Sequence, residues 1–452
     1  MQSMTVVTGH VRTFYQLLFN TLLVSVINFT VWFAVTFWVY LETRSVFATG
    51  VISGIFLVLT ALTGVWFGSL VDGHRKKTAL QGSALASLAF YGAAFAVHLS
   101  VPEQAWTDPA DVRLWTFVLL LMFGVIAGNI RTIALPTLVT LLIDADRRDR
   151  ANGLVGTVSG TSFLVTSVIS GVLVAFDGMF SVLVLALAVL ALSLVHLTFV
   201  RIPEREPEHS EAARPGVDLR GTIRIIAGVP GLTALILFST FNNFLGGVFM
   251  ALADAYGLSL VSVQTWGLLW GVISTGFILG GLLVSRTGLG SRPVRLLLLL
   301  NVVLWVIIVV FPIWASIIPM AVGMYVYMLL MPYAEATEQT ILQRVVPYER
   351  QGRVFGLAQS AEQAASPLTA FLISPITQFV FIPFMSDGGA GADAIGSWFG
   401  TGADRGMALV FILTGLIGVI ATTLALASRP YRALSRRVAE DAPATEPAAA
   451  PA

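Results

Sequence analysis

Asp149-Arg-Ala-Asn-Gly-Leu154 and Gly352-Arg-Val-Phe-Gly-Leu357 are two versions of one short stretch. A constant offset of 203 residues pairs Arg147 with Arg350, Arg150 with Arg353, Gly153 with Gly356 and Leu154 with Leu357. Working outward, Asn28-Phe29 matches Asn243-Phe244, and Gly68-Ser-Leu70 matches Gly280-Gly-Leu282. Three correspondences in the same order indicate a unit written twice. Each copy is unusually apolar. Of the 452 residues 56% are hydrophobic and 11% charged, where soluble chains carry about 25% charged residues.

A membrane-spanning helix needs roughly 20 largely apolar residues. Twelve stretches qualify, at about 14–40, 47–70, 78–99, 114–142, 153–176, 180–200, 231–253, 263–285, 294–312, 317–343, 354–384 and 406–428. They are long runs without the period-two alternation of a membrane barrel, so they read as helices. The expected fold is an all-α integral membrane protein, with twelve transmembrane helices in two pseudo-symmetric six-helix bundles, 1–200 and 231–428. The polar stretch 201–230 reads as a linker, with a short surface helix over Val217–Ile226 where Arg220 and Arg224 interleave with apolar residues. The tail 429–452 turns Ala/Pro/Glu-rich from Ala439 and is expected to be disordered. The first hydrophobic stretch is longer than a signal-peptide core and lacks a small-residue cleavage site, so it reads as a retained helix.

Lys and Arg set the orientation. All but four of the 26 basic residues fall at the N-terminus, in alternate loops and in the tail; the exceptions are Arg44, Arg113, Arg405 and Arg131. The positive-inside rule then places both termini in the cytoplasm of a cell-membrane protein with an even number of spans. Trp66, Trp106 and Trp398, near span ends, read as interface anchors.

Several function classes drop out. A net charge of +1 leaves no electrostatic case for nucleic-acid binding. There is no cysteine, and the five histidines are scattered in no metal-ligand spacing. No Gly-Lys-Ser/Thr phosphate loop and no nucleophile–base pair is present, so neither an ATP-driven pump nor a membrane enzyme is supported, and no cofactor is called for. The Gly-rich stretch Asp387 to Arg405 lacks calcium-loop spacing and reads as an exposed outer loop. What remains is a duplicated helical unit split by a polar linker, the pattern of a transporter whose halves rock about a site between them.

Gly68-Ser-Leu-Val-Asp72-Gly-His-Arg75-Lys76-Lys77, between spans two and three, resembles the signature loop of the major facilitator superfamily. That pattern reads Gly-x-Leu-Ala-Asp-Arg-x-Gly-Arg-Lys. Asp72 and the closing basic pair are kept, while Gly73 stands where an Arg is expected and Arg75 where a second Gly is expected. The repeats after spans four and ten resemble the proton-linked drug exporters, nearest to their macrolide-efflux and enterobactin-exporter branch. The Gly-Pro of the antiporter motif in span five is missing, the region reading Thr166-Ser-Val-Ile-Ser-Gly171. The resemblance implies alternating access by a monomer, with Gly68, Asp72, Arg75 and Lys76 as a gating loop. Asp72 would meet the start of span eleven and lock the outward-facing state, accepting from free amides at a helix N-terminus. Arg75 is the expected substitute for the missing Arg partner.

An ionisable side chain in hydrocarbon costs at least ~2.5–3.5 kcal/mol, so one retained there is functional by default. Arg131 lies about twelve residues, roughly 18 Å, from the basic end of span four. Glu335 aligns with Thr132 under the 203-residue offset, and Glu338, three residues on, shares its helix face. Glu362 is nine residues beyond Arg353. One of these carboxylates is expected to carry a coupling proton as it moves relative to Arg131; the alternative is a fixed ion pair with Arg131 or Arg344. Asn28, Asn242 and Asn243, with Trp32, Phe244 and the neighbouring Phe29, Phe33 and Phe241, are candidates for contacts to a small amphipathic substrate. The alternative for the amides is hydrogen bonding between helices, and for the rings packing or lipid contact. Two functions follow: a proton-coupled exporter of amphipathic drug-like molecules, or a lipid, siderophore or metabolite carrier of the same fold.

Overall fold

The computed structural model describes residues 2–43, 46–204 and 218–440. The expected linker over 205–217 and the expected disorder beyond 440 lie outside the described residues. Every regular element within them is helical. The first half holds α1 (Gln2–Thr43), α2 (Val46–Gly73), α3 (Lys76–Ser100), α4 (Val112–Gly128), α5 (Ile130–Leu142) and α6 (Arg148–Phe199). Then come α7 (Leu219–Gly228), α8 (Leu232–Leu260), α9 (Val263–Thr287), α10 (Pro293–Val310), α11 (Ile317–Val345) and α12 (Gln351–Ile376). A π turn leads to α13 (Ile382–Met385), followed by α14 (Ala390–Phe399), α15 (Ala403–Ala427) and α16 (Arg429–Glu440).

Lipid offers no hydrogen bonds, so each segment must satisfy its own backbone, and apolar helices do so. Their hydroxyls are absorbed the same way: Thr36 donates to the Trp32 carbonyl, Ser170 to Thr166 and Thr340 to Ala336. Side chains also cap exposed ends. Asp111 accepts from the Arg113 amide at the start of α4, and the Arg113 guanidinium bonded to it holds its carboxyl below the usual range.

Eleven helical segments among the described residues are long and apolar enough to cross a membrane. Two are bent: α4 and α5 form one span broken at Asn129, and α12, the π turn and α13 form another. The helix α6 is the opposite case. Its 52 residues would reach roughly 78 Å as a rod, more than twice the bilayer core. It breaks at Asp177 (φ −151°, ψ 26°) and Gly178 (φ 56°, ψ −139°). A positive φ costs glycine nothing. Spans five and six are the two limbs of α6, which makes twelve.

Two cores are private to one bundle. One gathers residues of α1 to α6 around Trp38, Tyr91 and Phe117, the other residues of α8 to α15 around Tyr256, Phe311 and Phe411. The largest core joins both bundles, drawing Phe14, Phe67 and Leu138 together with Leu235, Ile341 and Phe355. It lies toward the ends that carry the Arg-rich loops. The bundles are therefore fused at the arginine-rich face and keep separate cores toward the other.

Three expectations need correcting. Trp106 is no interface anchor: it is 4% exposed and packs 5.4 Å from both Trp38 and Phe117. The stretch Asp387 to Arg405 is not simply an exposed loop. It folds as α14, and Arg405 is buried at its end, donating to the Pro312 carbonyl and the Tyr256 hydroxyl while pairing with Asp404 at 2.9 Å. Neither is the tail disordered from its start, since 429–440 form α16, whose Leu434 and Val438 are buried.

Candidate translocation site

A cavity of about 460 Å³ lies between the bundles. Helices α1, α5 and α6 wall one side, α11 and α12 the other; Asn28, Arg131, Glu335, Glu338, Gln359 and Glu362 all line it. Glu335 and Glu338 follow Pro332 on α11, where the missing proline amide loosens the helix one turn earlier. Glu338 stands beside the Glu362 carboxyl of α12 and the Ser239 hydroxyl of α8. Two carboxyl groups held this close repel each other when both are ionised, and a proton on either relieves the pair. Glu335 adds a third carboxyl beside Glu338. The three candidate glutamates thus come together in one cavity.

Arg131 does not join them. It is 2% exposed and donates from Nη1 to Asn20 Oδ1 at 2.8 Å. Asn20 in turn donates to the Ser193 carbonyl and lies 3.2 Å from His196 Nδ1. Among the described residues no carboxylate comes within 4.0 Å of Arg131 or Arg344, so the anticipated ion pairs are not formed. Placed just past the break at Asn129, Arg131 is turned toward α1 and α6. Its Nε and Nη2 have no hydrogen-bond partner among the described residues.

The expected substrate residues are dispersed. Asn28 lines the cavity and accepts from the Tyr91 hydroxyl at 2.9 Å. Trp32 packs outside it, edge-on to Phe33 and tilted against Phe56. Asn242 accepts from Trp305 Nε1 at 2.8 Å, Asn243 donates to the Ser239 carbonyl at 3.0 Å, and Phe244 packs on the core of the second bundle. Of the rings anticipated from sequence, Phe29 lines this cavity while Trp32, Phe33, Phe241 and Phe244 do not; Gln339, Gln359 and Gln363 stand there with the glutamates.

The gating loop is built as a latch. Asp72, 8% exposed, takes the Gly352 amide on Oδ1 and the Arg353 amide on Oδ2, both at 2.8 Å. These are the first amides of α12, free by position, so a carboxylate there also meets the positive end of the helix. Gly68 permits the approach, because a Cβ on it would overlap the Gly352 carbonyl. Arg75 is exposed at the loop, and the cations near Asp72 are Lys76 and, more weakly, Arg353. Lys76 is 5% exposed, donates from Nζ to the Val71 carbonyl and sits over the Tyr348 ring.

Sequence reasoning missed several partners. Glu204 accepts from the Lys76 and Lys77 amides at 2.5 and 3.2 Å; burial pushes its carboxyl above the ordinary range, opposed by those amides and the Lys76 charge. Its place in a linker-like stretch hid it. A second latch joins α6 to the other bundle. Asp149 accepts from the Leu289 amide at 2.8 Å, Asn152 donates to Thr340 and Gln343, and Gln343 donates to the Pro136 carbonyl. Asp149 and Asn152 belong to the repeated stretch itself, so the repeat was their signal.

Residues 17–370 match the family model of the Major Facilitator Superfamily. The chain belongs to this superfamily. No curated protein matches its sequence. Among solved structures this superfamily member is similar to a bacterial homologue of the iron transporter ferroportin in an outward-facing state, at 14% identity and a TM-score of 0.67, covering 92% of this chain and 100% of that one. It is similar also to the proton:xylose symporter XylE (13% identity, TM-score 0.64, 92% and 96% covered) and to the human organic anion transporter MFSD10 (14%, 0.59, 90% and 99%). Likeness at such identity establishes the fold. A major facilitator chain is a transporter and not an enzyme.

Proposed function

We propose that this transporter is a proton-coupled exporter of amphipathic small molecules, working as a monomer in the cell membrane with both termini in the cytoplasm. The observation that carries the reading is the juxtaposition of Glu338 and Glu362 inside a cavity walled by both bundles. The pair bridges α11 and α12, so a change in their relative position alters the proton's site. With the arginine-rich face taken as cytoplasmic, the latches at Asp72 and Asp149 hold that side shut. Protons then reach the carboxyl pair from outside. Release of the latches lets the bundles rock, the proton leaves inward, and cytoplasmic substrate enters the exposed cavity.

The test is efflux of a fluorescent amphipath from cells lacking their own exporters. It should collapse with a protonophore and in Glu338→Gln and Glu362→Gln. Gradient-driven efflux surviving in both variants, and in Glu335→Gln, would sink the proton role. A second reading has one observation in its favour: Gln339, Gln359, Gln363 and Asn28 give the cavity more hydrogen-bonding groups than aromatic surface. That lining suits a polar metabolite, and proton-dependent uptake of a hydrophilic solute without amphipath efflux would support it.

A further inference from the structure

On the arginine-rich face, α16 packs across the end of the second bundle. Leu434 and Val438, each 2% exposed, hold it against α8 and α10, and Gly231 (φ 83°) lets the Pro430 carbonyl approach closely. Its polar side carries Arg432 and Arg436, one turn apart on a single face. Together with Arg292, at the start of α10, they border a pocket of about 670 Å³ that also holds the hydroxyls of Ser291, Tyr431 and Ser435. All three arginines are exposed, and among the described residues no carboxylate lies within 4.0 Å of any of them. Three guanidinium groups facing one pocket repel each other unless an anion sits among them.

A narrow apolar crevice adjoins this pocket, and Val294 and Tyr431 belong to both. It runs between α8, α10 and α15 along Phe238, Leu297, Leu298 and Ala425. A basic pocket that opens into an apolar crevice at a helix end, where a bilayer's headgroups would lie, matches a phospholipid part by part. Arginine is the side chain suited to phosphate oxygens. We infer that Arg292, Arg432 and Arg436 bind the phosphate headgroup of an anionic phospholipid, whose acyl chains run along the apolar flank past the mouth of the crevice. A free phosphate ion shares the headgroup chemistry but leaves the apolar flank without a role.

The test titrates the full chain in neutral detergent by native mass spectrometry with phosphatidylglycerol, phosphatidylcholine and inorganic phosphate. The variant combines Arg292→Gln, Arg432→Gln and Arg436→Gln. Its control, Arg12→Gln with Arg147→Gln and Arg286→Gln, removes the same charge from exposed sites elsewhere. Phosphatidylglycerol should bind in preference to phosphatidylcholine, and its affinity should fall about a hundredfold in the variant but not in the control. Should the triple variant fail to fold, Arg292→Gln and Arg436→Gln singly carry the test at about fivefold each. Equal binding of the two lipids, or equal loss in variant and control, overturns the assignment. So does an inorganic phosphate ion that depends on the same arginines and excludes the lipid.

Discussion

Replacing Asp72 by Asn probes the latch with almost no change of volume. The carboxylate uses one oxygen for each of two amides, Gly352 and Arg353, at 2.8 Å apiece. Asn keeps one acceptor and turns an amide donor toward the other N–H. One charge-assisted hydrogen bond, about 1.5–3 kcal/mol, is lost. The interaction of the charge with the end of α12 goes too, a further 0.3–1 kcal/mol or about that. Once the latch opens, those amides meet water in either protein, so the loss falls mainly on the closed form. At a decade per 1.4 kcal/mol, a net 2–3 kcal/mol lowers the closed-to-open ratio roughly 30- to 150-fold. The fit of Gly68 against Gly352 and the second latch remain, so the equilibrium shifts without the fold being lost.

The chain has no cysteine, so spin labels can be placed without background. Cysteines at His74 and Arg286, both exposed and on opposite bundles, report the opening of the arginine-rich face by pulsed electron resonance. In Asp72→Asn a longer-distance population should grow by the stated factor. A distribution unchanged to within threefold would refute the idea that these two hydrogen bonds hold the face closed.

Close helix contact makes its own prediction: Gly68→Ala should open the same face, because the added Cβ meets the backbone of α12, whereas Gly73→Ala, with open space around it, should leave the distances unchanged. Arg405→Ala strands Asp404 and the Pro312 carbonyl at the far end of the second bundle; it should cost about 3–5 kcal/mol, read as a lower thermal midpoint in detergent and partly restored by Arg405→Lys. Glu204 gives a pH dependence with a definite sign. Its folded carboxyl titrates above the ordinary value of 4.5, so its contribution to stability is complete below that value and is lost as pH rises through the folded one. The midpoint of Glu204→Gln relative to the native chain should therefore climb between pH 4 and 8; a difference that shrinks would contradict the burial.

Spans, duplication and the three cavity glutamates were legible because each rests on the cost of putting polarity into hydrocarbon, which length and composition express directly. Rotation about a helix axis was not. In a soluble helix the apolar stripe faces the core, but in a bilayer lipid and core are equally apolar. Hydropathy therefore could not say that Asn242 turns to Trp305 while Asn243, about 100° further round, bonds along its own helix. Arg131 failed for the same reason: its depth was readable, its direction toward Asn20 was not. Arg405 and Glu204 sit at span ends, where one charge serves equally as a loop marker or a buried tie, and only the residues folded over it decide.

The two latches show what duplication preserved and what it did not. Both press the end of a second-type span, α2 or α9, onto the start of a fifth-type span, α12 or α6. The 203-residue offset sets Asp149 opposite Gly352, and the Gly68–Gly280 match sets Asp72 opposite Val284. The contact is repeated, but the carboxylate has changed sides. Asp72 reaches across to two amides at the positive end of α12, whereas Asp149, in the first turn of its own helix, receives one amide from Leu289, just past the negative end of α9. The dipole of the partner helix thus strengthens the first latch and weakens the second. Asn152 and Gln343, bonded to each other behind Asp149, hold the second latch whether or not the carboxylate is present. Asp149→Asn should accordingly shift the closed-to-open ratio by less than about tenfold in the same spin-label pair, well short of Asp72→Asn. Equal shifts would mean that charge alone holds the face closed and that the direction of the partner helix is irrelevant.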